Sequence, residues 1–72
     1  MVQRVYEFDV HLIINGQMAK GLQTIRFIAD NYSTAEYRLK KHFEGIDNVQ
    51  LIDYYFIQDY NVWGDTVGRY NN

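Results

Sequence analysis

Residues 32–46, YSTAEYRLKKHFEGI, are the stretch whose reading decides the fold. Ser33 followed by Glu36 has the spacing of a capping box. The serine oxygen accepts an orphan N–H of the first turn, and the glutamate reaches back to the serine N–H. Tyr32 and Tyr37 flank that box at the N′ and N4 positions of a hydrophobic staple. Gly45 can turn left-handed and stop the helix. Ala35, Leu39, His42, Phe43 and Ile46 recur at helical spacing and predict one face to bury. The rest of the chain reads as sheet built to receive that face.

Working back from the helix, residues 5–14 alternate. Tyr6, Phe8, Val10, Leu12 and Ile14 share one side; Glu7, Asp9 and His11, with Val5 and Ile13, share the other. A period of two predicts a strand with one face on a core. Asn15-Gly16 follows at once, and both residues tolerate the positive φ of a type I′ hairpin turn. The returning strand is regular only from Thr24 to Ala29. A strict two-residue loop sets Tyr6 opposite Ile25 and Phe8 opposite Gln23, and Gly21 marks a bulge or a loosened loop end on the way.

Beyond the helix, Asp47-Asn48 makes a turn and Val49–Tyr60, VQLIDYYFIQDY, reads as a third strand. Its middle is apolar on both sides, so it is expected to be covered on both or to lie at an interface. Residues 61–72 hold Trp63, Tyr70 and two glycines. Gly64-Asp65 can turn a short hairpin into a fourth strand at Thr66–Tyr70, or the segment is an arm laid on a neighbouring subunit.

The expected architecture is a single α+β domain over residues 1–72, two layers, in the order ββαβ with a further β at the end. A right-handed crossover places the third strand beside the first, giving an antiparallel sheet in spatial order 2-1-3 with one helix packed on one face. A single helix cannot cover both faces. The face carrying Val5, Ile13 and Ile28, with part of Tyr54 and Phe56, is left to water or to a partner, and exposed apolar area of that kind marks interaction sites.

Composition narrows the rest. A 72-residue domain buries only roughly 60% of its unfolded surface, and one small core supplies ~3–5 kcal/mol of net stability. Cysteine is absent, so disulfides and thiolate zinc sites are excluded as fastenings and a cytoplasmic protein is the simpler expectation. Self-association, to a dimer or higher homo-oligomer, is the support that remains. Tyrosine supplies seven of the twelve aromatic residues, and such rings are enriched at interfaces because their hydroxyls tolerate a wet edge. The net charge of −2 argues against a protein whose main task is gripping phosphates. The N-terminal run MVQRVYEFDVHLIIN, with its single base and interrupting Glu7, Asp9 and His11, is neither a signal peptide nor a membrane span. No membrane partner is expected.

Three constellations carry chemistry. Glu7, Asp9 and His11 stand roughly 7 Å apart along one strand face, a spacing at which neighbours can share a metal, but it is also the spacing of any solvated strand face, and no metal or other cofactor is assigned. Arg38, Lys40 and Lys41, with Tyr37 and His42, can make a phosphate-binding patch with stacking tyrosines. Competing with that, bases near a helix C-terminus complement its dipole, and Glu36–Lys40 and Lys40–Glu44 have i,i+4 spacing. Of nine acids and seven bases, this helix holds two and three, leaving seven against four elsewhere. Nucleic acid or a nucleotide is therefore the alternative ligand class. The third constellation is the acidic aromatic C-terminal part: Asp53, Tyr54, Tyr55, Phe56, Asp59, Tyr60, Trp63, Asp65 and Tyr70. Aromatic anchors rimmed by carboxylates build protein-binding surfaces; large rings also fill small cores, and both readings stand.

No catalytic machinery is expected. Ser33 is the only serine and is assigned to the cap, His11 and His42 fall on separate elements, and no phosphate loop or nucleophile motif is present. In size and layout, a short cysteine-free ββαβ chain rich in Tyr and Asn, the sequence resembles small accessory proteins of bacteriophages, some of which inhibit host enzymes or defence complexes by binding them. The expectation is a non-enzymatic protein-interaction module, self-associating and possessing a further protein partner, with Val5, Ile13, Tyr54, Phe56, Tyr60, Trp63 and Tyr70 as its contact residues.

Overall fold

The computed structural model describes residues 3–63. Strand β1, Arg4–Ile14, runs through the middle of the sheet, and Tyr6, Phe8, Val10 and Leu12 are buried along one side of it, as the alternation requires. Asn15 (φ 54) and Gly16 (φ 79) turn the chain into β2, Gln17–Met18. On the same edge of β1 follows β3, Gln23–Ala29, while β4, Val49–Asn61, pairs antiparallel with the opposite edge of β1 along its whole length. Helix α1, Tyr32–Glu44, packs on one face. The three long strands thus stand in the order second, first, third, and the fold is two-layer α+β.

The hairpin keeps its tight turn but not a strict register. Ile14 pairs with Gln17 and Ile13 with Met18, after which the pairing slips so that Tyr6 faces Phe27 and Phe8 faces Ile25. Three residues, Lys20, Gly21 and Leu22, occupy the length that His11 alone takes on β1, with Gly21 at φ 70. The insertion adds two residues to the register, an even number. Ile25, Phe27 and Ala29 therefore stay on the core side, since a shift of one would have turned them all to the other face.

The helix begins two residues earlier than the capping box implies. Asn31 is the N-cap: its backbone is extended and its Oδ1 accepts from the Thr34 N–H at 2.8 Å. Ser33 thereby sits inside the first turn, and Glu36 is released to accept a hydrogen bond from the Tyr54 hydroxyl instead. Asparagine and serine are equally good caps, so the choice falls to which of them the short link from β3 leaves extended. Asn31→Ala is expected to lower stability by about 1 kcal/mol, whereas Ser33→Ala leaves it within about 0.5 kcal/mol. Urea melts of the two variants separate the assignments, and a larger loss at Ser33 would restore the capping box.

At the other end Gly45 stops the helix without turning left-handed (φ −90, ψ 1); Asn48 (φ 65) is the left-handed residue of this loop. The Asn48 carbonyl accepts from the Asn15 N–H at 2.7 Å, which pins the helix–β4 loop to the hairpin turn. The buried helix stripe is Ala35, Leu39 and Phe43 only. His42 and Ile46, expected in it, are exposed; His42 lays its ring beside Phe43 and Phe27 at the margin. A helix lying on a sheet this narrow contacts it through one i,i+4 row. Phe8, Val10 and Leu39 are the largest wholly buried side chains, and around them the core closes with Tyr6, Leu12, Ala29, Ala35 and Phe43. The fourth strand expected at Thr66–Tyr70, and Tyr70 itself, lie outside the described residues.

Candidate protein-interaction surface

Strand β4 carries six of the nine residues of the acidic aromatic constellation, and its geometry decides where they point. Its register against β1 shifts twice, between Glu7 and Phe8 and between His11 and Leu12. At each shift β4 holds one residue more than β1, Ile57 at the first and Ile52 at the second, and each bulge flips the parity of the strand beyond it. Val49, Leu51, Tyr54, Phe56 and Asp59 consequently stand opposite Ile14, Leu12, Val10, Phe8 and Tyr6 on the helix side, while Gln50, Asp53, Tyr55, Gln58 and Tyr60 stand opposite Ile13, His11, Asp9, Glu7 and Val5 on the open side.

Tyr54 and Phe56 thus belong wholly to the helix side and not to the bare face. The Tyr54 ring packs edge-on against Phe8, its hydroxyl donates to Glu36, and Lys40 Nζ lies 5.7 Å from the ring centroid. Glu36, and then burial, raise the Tyr54 hydroxyl above its ordinary pKa. Phe56 meets Tyr32 edge-on at 5.4 Å and touches Phe8 and Tyr6. Between helix and β4 lies a groove of about 440 Å³, with Phe43, Val49, Leu51 and Tyr54 in its wall and Lys40 and Glu44 at its rim.

The open face is not an apolar sheet. Val5 stands between Ile28 and Tyr60 and is buried by its neighbours; Ile13, at the far end, is half-buried between Met18 and Gln50. Between them run polar rungs. Glu7 accepts from Arg26 Nε at 2.6 Å and from Gln58 Nε2 at 2.9 Å, and Asp9 accepts from the Thr24 hydroxyl at 2.7 Å. Glu7 is 7% exposed although no described element covers this face. The Gln58 amide holds its carboxyl below the ordinary range, with burial acting against that shift and Arg26 reinforcing it. The rungs employ the carboxylates of the Glu7, Asp9 and His11 set in side-chain pairing. Among the described residues no three ligand-type side chains converge on a metal position.

The basic helix residues are dispersed. Arg38 Nη1 donates to the Ile28 carbonyl of β3, Lys41 pairs with Glu44 at 3.2 Å, and Lys40 lies over Tyr54. Neither i,i+4 pair expected from the sequence forms, because the Tyr54 hydroxyl takes Glu36 and Lys41 takes Glu44 by i,i+3 spacing. Tyr37 is exposed beside none of the described ring contacts.

What remains is the edge of β4 that faces away from β1. Among the described residues this strand pairs with β1 alone. Along it Ile52 is 43% exposed, Tyr55 51%, Phe56 47% and Ile57 44%, and Trp63, just past its end, is 84% exposed. No lysine, arginine or proline interrupts residues 49–61. Its two acids are internally engaged: Asp59 binds Arg4 at 2.5 Å, and Asp53 accepts from the Tyr54 N–H at 2.8 Å and beside the Tyr55 hydroxyl raises that group's pKa. Ile52 and Ile57 were not among the contact residues expected from the sequence, and the run of apolar residues on both parities was their only signal; Tyr55 belonged to the acidic aromatic constellation but not to the contact residues drawn from it. The chain matches no protein-family model, no curated protein and no solved structure.

Proposed function

We propose that the protein is a small non-enzymatic interaction module that self-associates and docks through the edge of β4. The observation that carries this reading is a thirteen-residue edge strand that exposes Ile52, Tyr55, Phe56 and Ile57 and lacks the lysines and prolines with which natural sheets blunt such edges. An edge without lysine or proline, bent at two bulges but unpaired among the described residues, offers a partner main-chain donors and acceptors, and the flanking side chains supply specificity, as in strand-addition complexes. By contrast a helix arginine already occupies a main-chain acceptor of β3. The chain's contact residues Tyr54 and Phe56 then lie on one side of the docking strand and Tyr60 on the other, with Trp63 at its end. The same edge suits a strand of a host protein, the partner class that likeness to small phage accessory proteins suggests, and a cytoplasmic setting accords with the absence of cysteine. No described helix is long and apolar enough to cross a membrane.

Light scattering during size-exclusion chromatography, with absorbance read at 260 and 280 nm, tests this. The purified chain is expected to elute as a homo-oligomer at micromolar concentration and free of nucleic acid. A monomer at every concentration would overturn self-association; a co-eluting nucleic acid removed by salt would shift the reading to the Arg38, Lys40 and Lys41 surface.

A further inference from the structure

We infer that the partner seated on β4 is a second copy of this chain, paired antiparallel about a two-fold axis through Tyr55, with each Trp63 laid at the mouth of the other copy's helix–β4 groove. The inference rests on the reading of β4 as a docking edge and names its occupant and register.

The order of sides along the strand selects this register. A two-fold axis perpendicular to the sheet keeps both helices on one face, so it must set each helix-side residue of β4 opposite a helix-side residue and each open-side residue opposite an open-side one. The two bulges give β4 a pattern that reads almost the same from either end. About Tyr55, Tyr54 comes level with Phe56, Leu51 with Asp59 and Val49 with Asn61 on the helix side. Gln50 comes level with Tyr60 on the open side, and Tyr55 meets itself. Only the bulge positions fall outside the pattern, Asp53 meeting Ile57 and Ile52 meeting Gln58. A register one residue away breaks the match along most of the strand.

Charge agrees with this register. β4 carries two carboxylates and no base, so a self-pairing that set Asp53 against Asp59 would be penalised, as like charges directly opposite are. About Tyr55 they meet Ile57 and Leu51 instead. The ends agree as well. With Asn61 level with Val49 of the second copy, Trp63 follows two residues on, beside the end of the groove walled by Phe43, Val49, Leu51 and Tyr54. An exposed indole at one end of the edge strand and an apolar groove at the other are what a closed, isologous pair requires, each copy giving one and receiving the other. The paired edges then disappear from the surface, and the dimer closes with no repeat left to extend.

The chain has no cysteine and one tryptophan, so two clean readouts exist. Tyr55→Cys is expected to cross-link to its own copy under mild oxidation, because directly opposed residues bring their Cβ atoms about 4.5–5.5 Å apart, close to disulfide reach. Ile28→Cys, on β3, is expected to stay reduced. In the unmodified chain, Trp63 emission is expected to shift to the blue as concentration rises through the dimer transition. Loss of the indole in Trp63→Ala is expected to raise the dissociation constant about thirtyfold. A dimer by light scattering whose Trp63 emission stays that of an exposed indole, and whose Tyr55→Cys form does not cross-link, would overturn this register and leave the docking reading intact. A chain monomeric throughout would overturn both.

Discussion

Leu39→Ala is expected to leave this protein largely unfolded under conditions in which the parent chain is folded. Leu39 is wholly buried on the helix stripe, between Ala35 and Phe43, over Phe8 and Val10 of the central strand. Truncating a buried leucine costs about 2–5 kcal/mol, the transfer term of the lost methyl groups plus the cavity they leave. A core this small supplies ~3–5 kcal/mol in all. The two figures overlap, so one substitution removes most of the net stability. The expected drop in melting temperature is about 12–24 °C for a loss of about 3 kcal/mol in a domain of this size. Leu39→Met, which keeps the volume, should cost less than about 1.5 kcal/mol. Circular dichroism melts of the pair check it: equal melting temperatures for the alanine and methionine variants would mean that the helix is not anchored by this row.

The reason so much hangs on one row was legible in the sequence, because it follows from counting layers. Alternation in residues 5–14, the Asn15-Gly16 turn and the single helical stripe all depend on local geometry, and the structure has each of them. Local chemistry did not reach the competition between equals. Asn31 and Ser33 are interchangeable as caps, and the difference between them is set by how the chain leaves β3. Gly45 and Asn48 can both take a left-handed turn, and only Asn48 does, its carbonyl held by Asn15 from across the molecule. His42 and Ile46 fall on the helical period but past the width of the sheet that receives it.

For the interaction surface the limiting quantity was parity. In VQLIDYYFIQDYN every residue in the middle is apolar or aromatic except Asp53, so the run shows no alternation from which a bulge is detected. Two single-residue insertions, at Ile52 and Ile57, move Tyr54 and Phe56 to the helix side and turn Tyr55 to the open side. The open face is less apolar than expected for a related reason, although Ile28 on it is exposed as expected. Glu7, Arg26 and Gln58 come from three strands, separated by 19 and 51 residues in the chain, and only the sheet register reveals that they complete one another's hydrogen bonds. With the middle of that face taken up by polar rungs, the part of the described sheet left without a partner strand beside β1 is the outer edge of β4.

That edge makes the effect of Tyr55→Lys large and specific. Tyr55 is 51% exposed on the open side, opposite Asp9 and near Asp53 on its own strand. A lysine there gains two carboxylate neighbours within the folded chain and loses no buried contact, so stability should change by no more than about 0.5 kcal/mol. Between copies the change counts twice, because the residue lies on the two-fold axis: two ammonium groups replace two facing rings. Removal of a central aromatic anchor alone is worth about 2 kcal/mol or more, and directly opposed like charges add to it. The dissociation constant should rise at least about thirtyfold, leaving a folded monomer at concentrations where the parent chain is paired. Sedimentation velocity beside a thermal melt reads both halves. A variant that melts as the parent does and still pairs within about threefold of the parent's affinity would take Tyr55 off the axis, since no interface centred on that residue can absorb two charges without weakening.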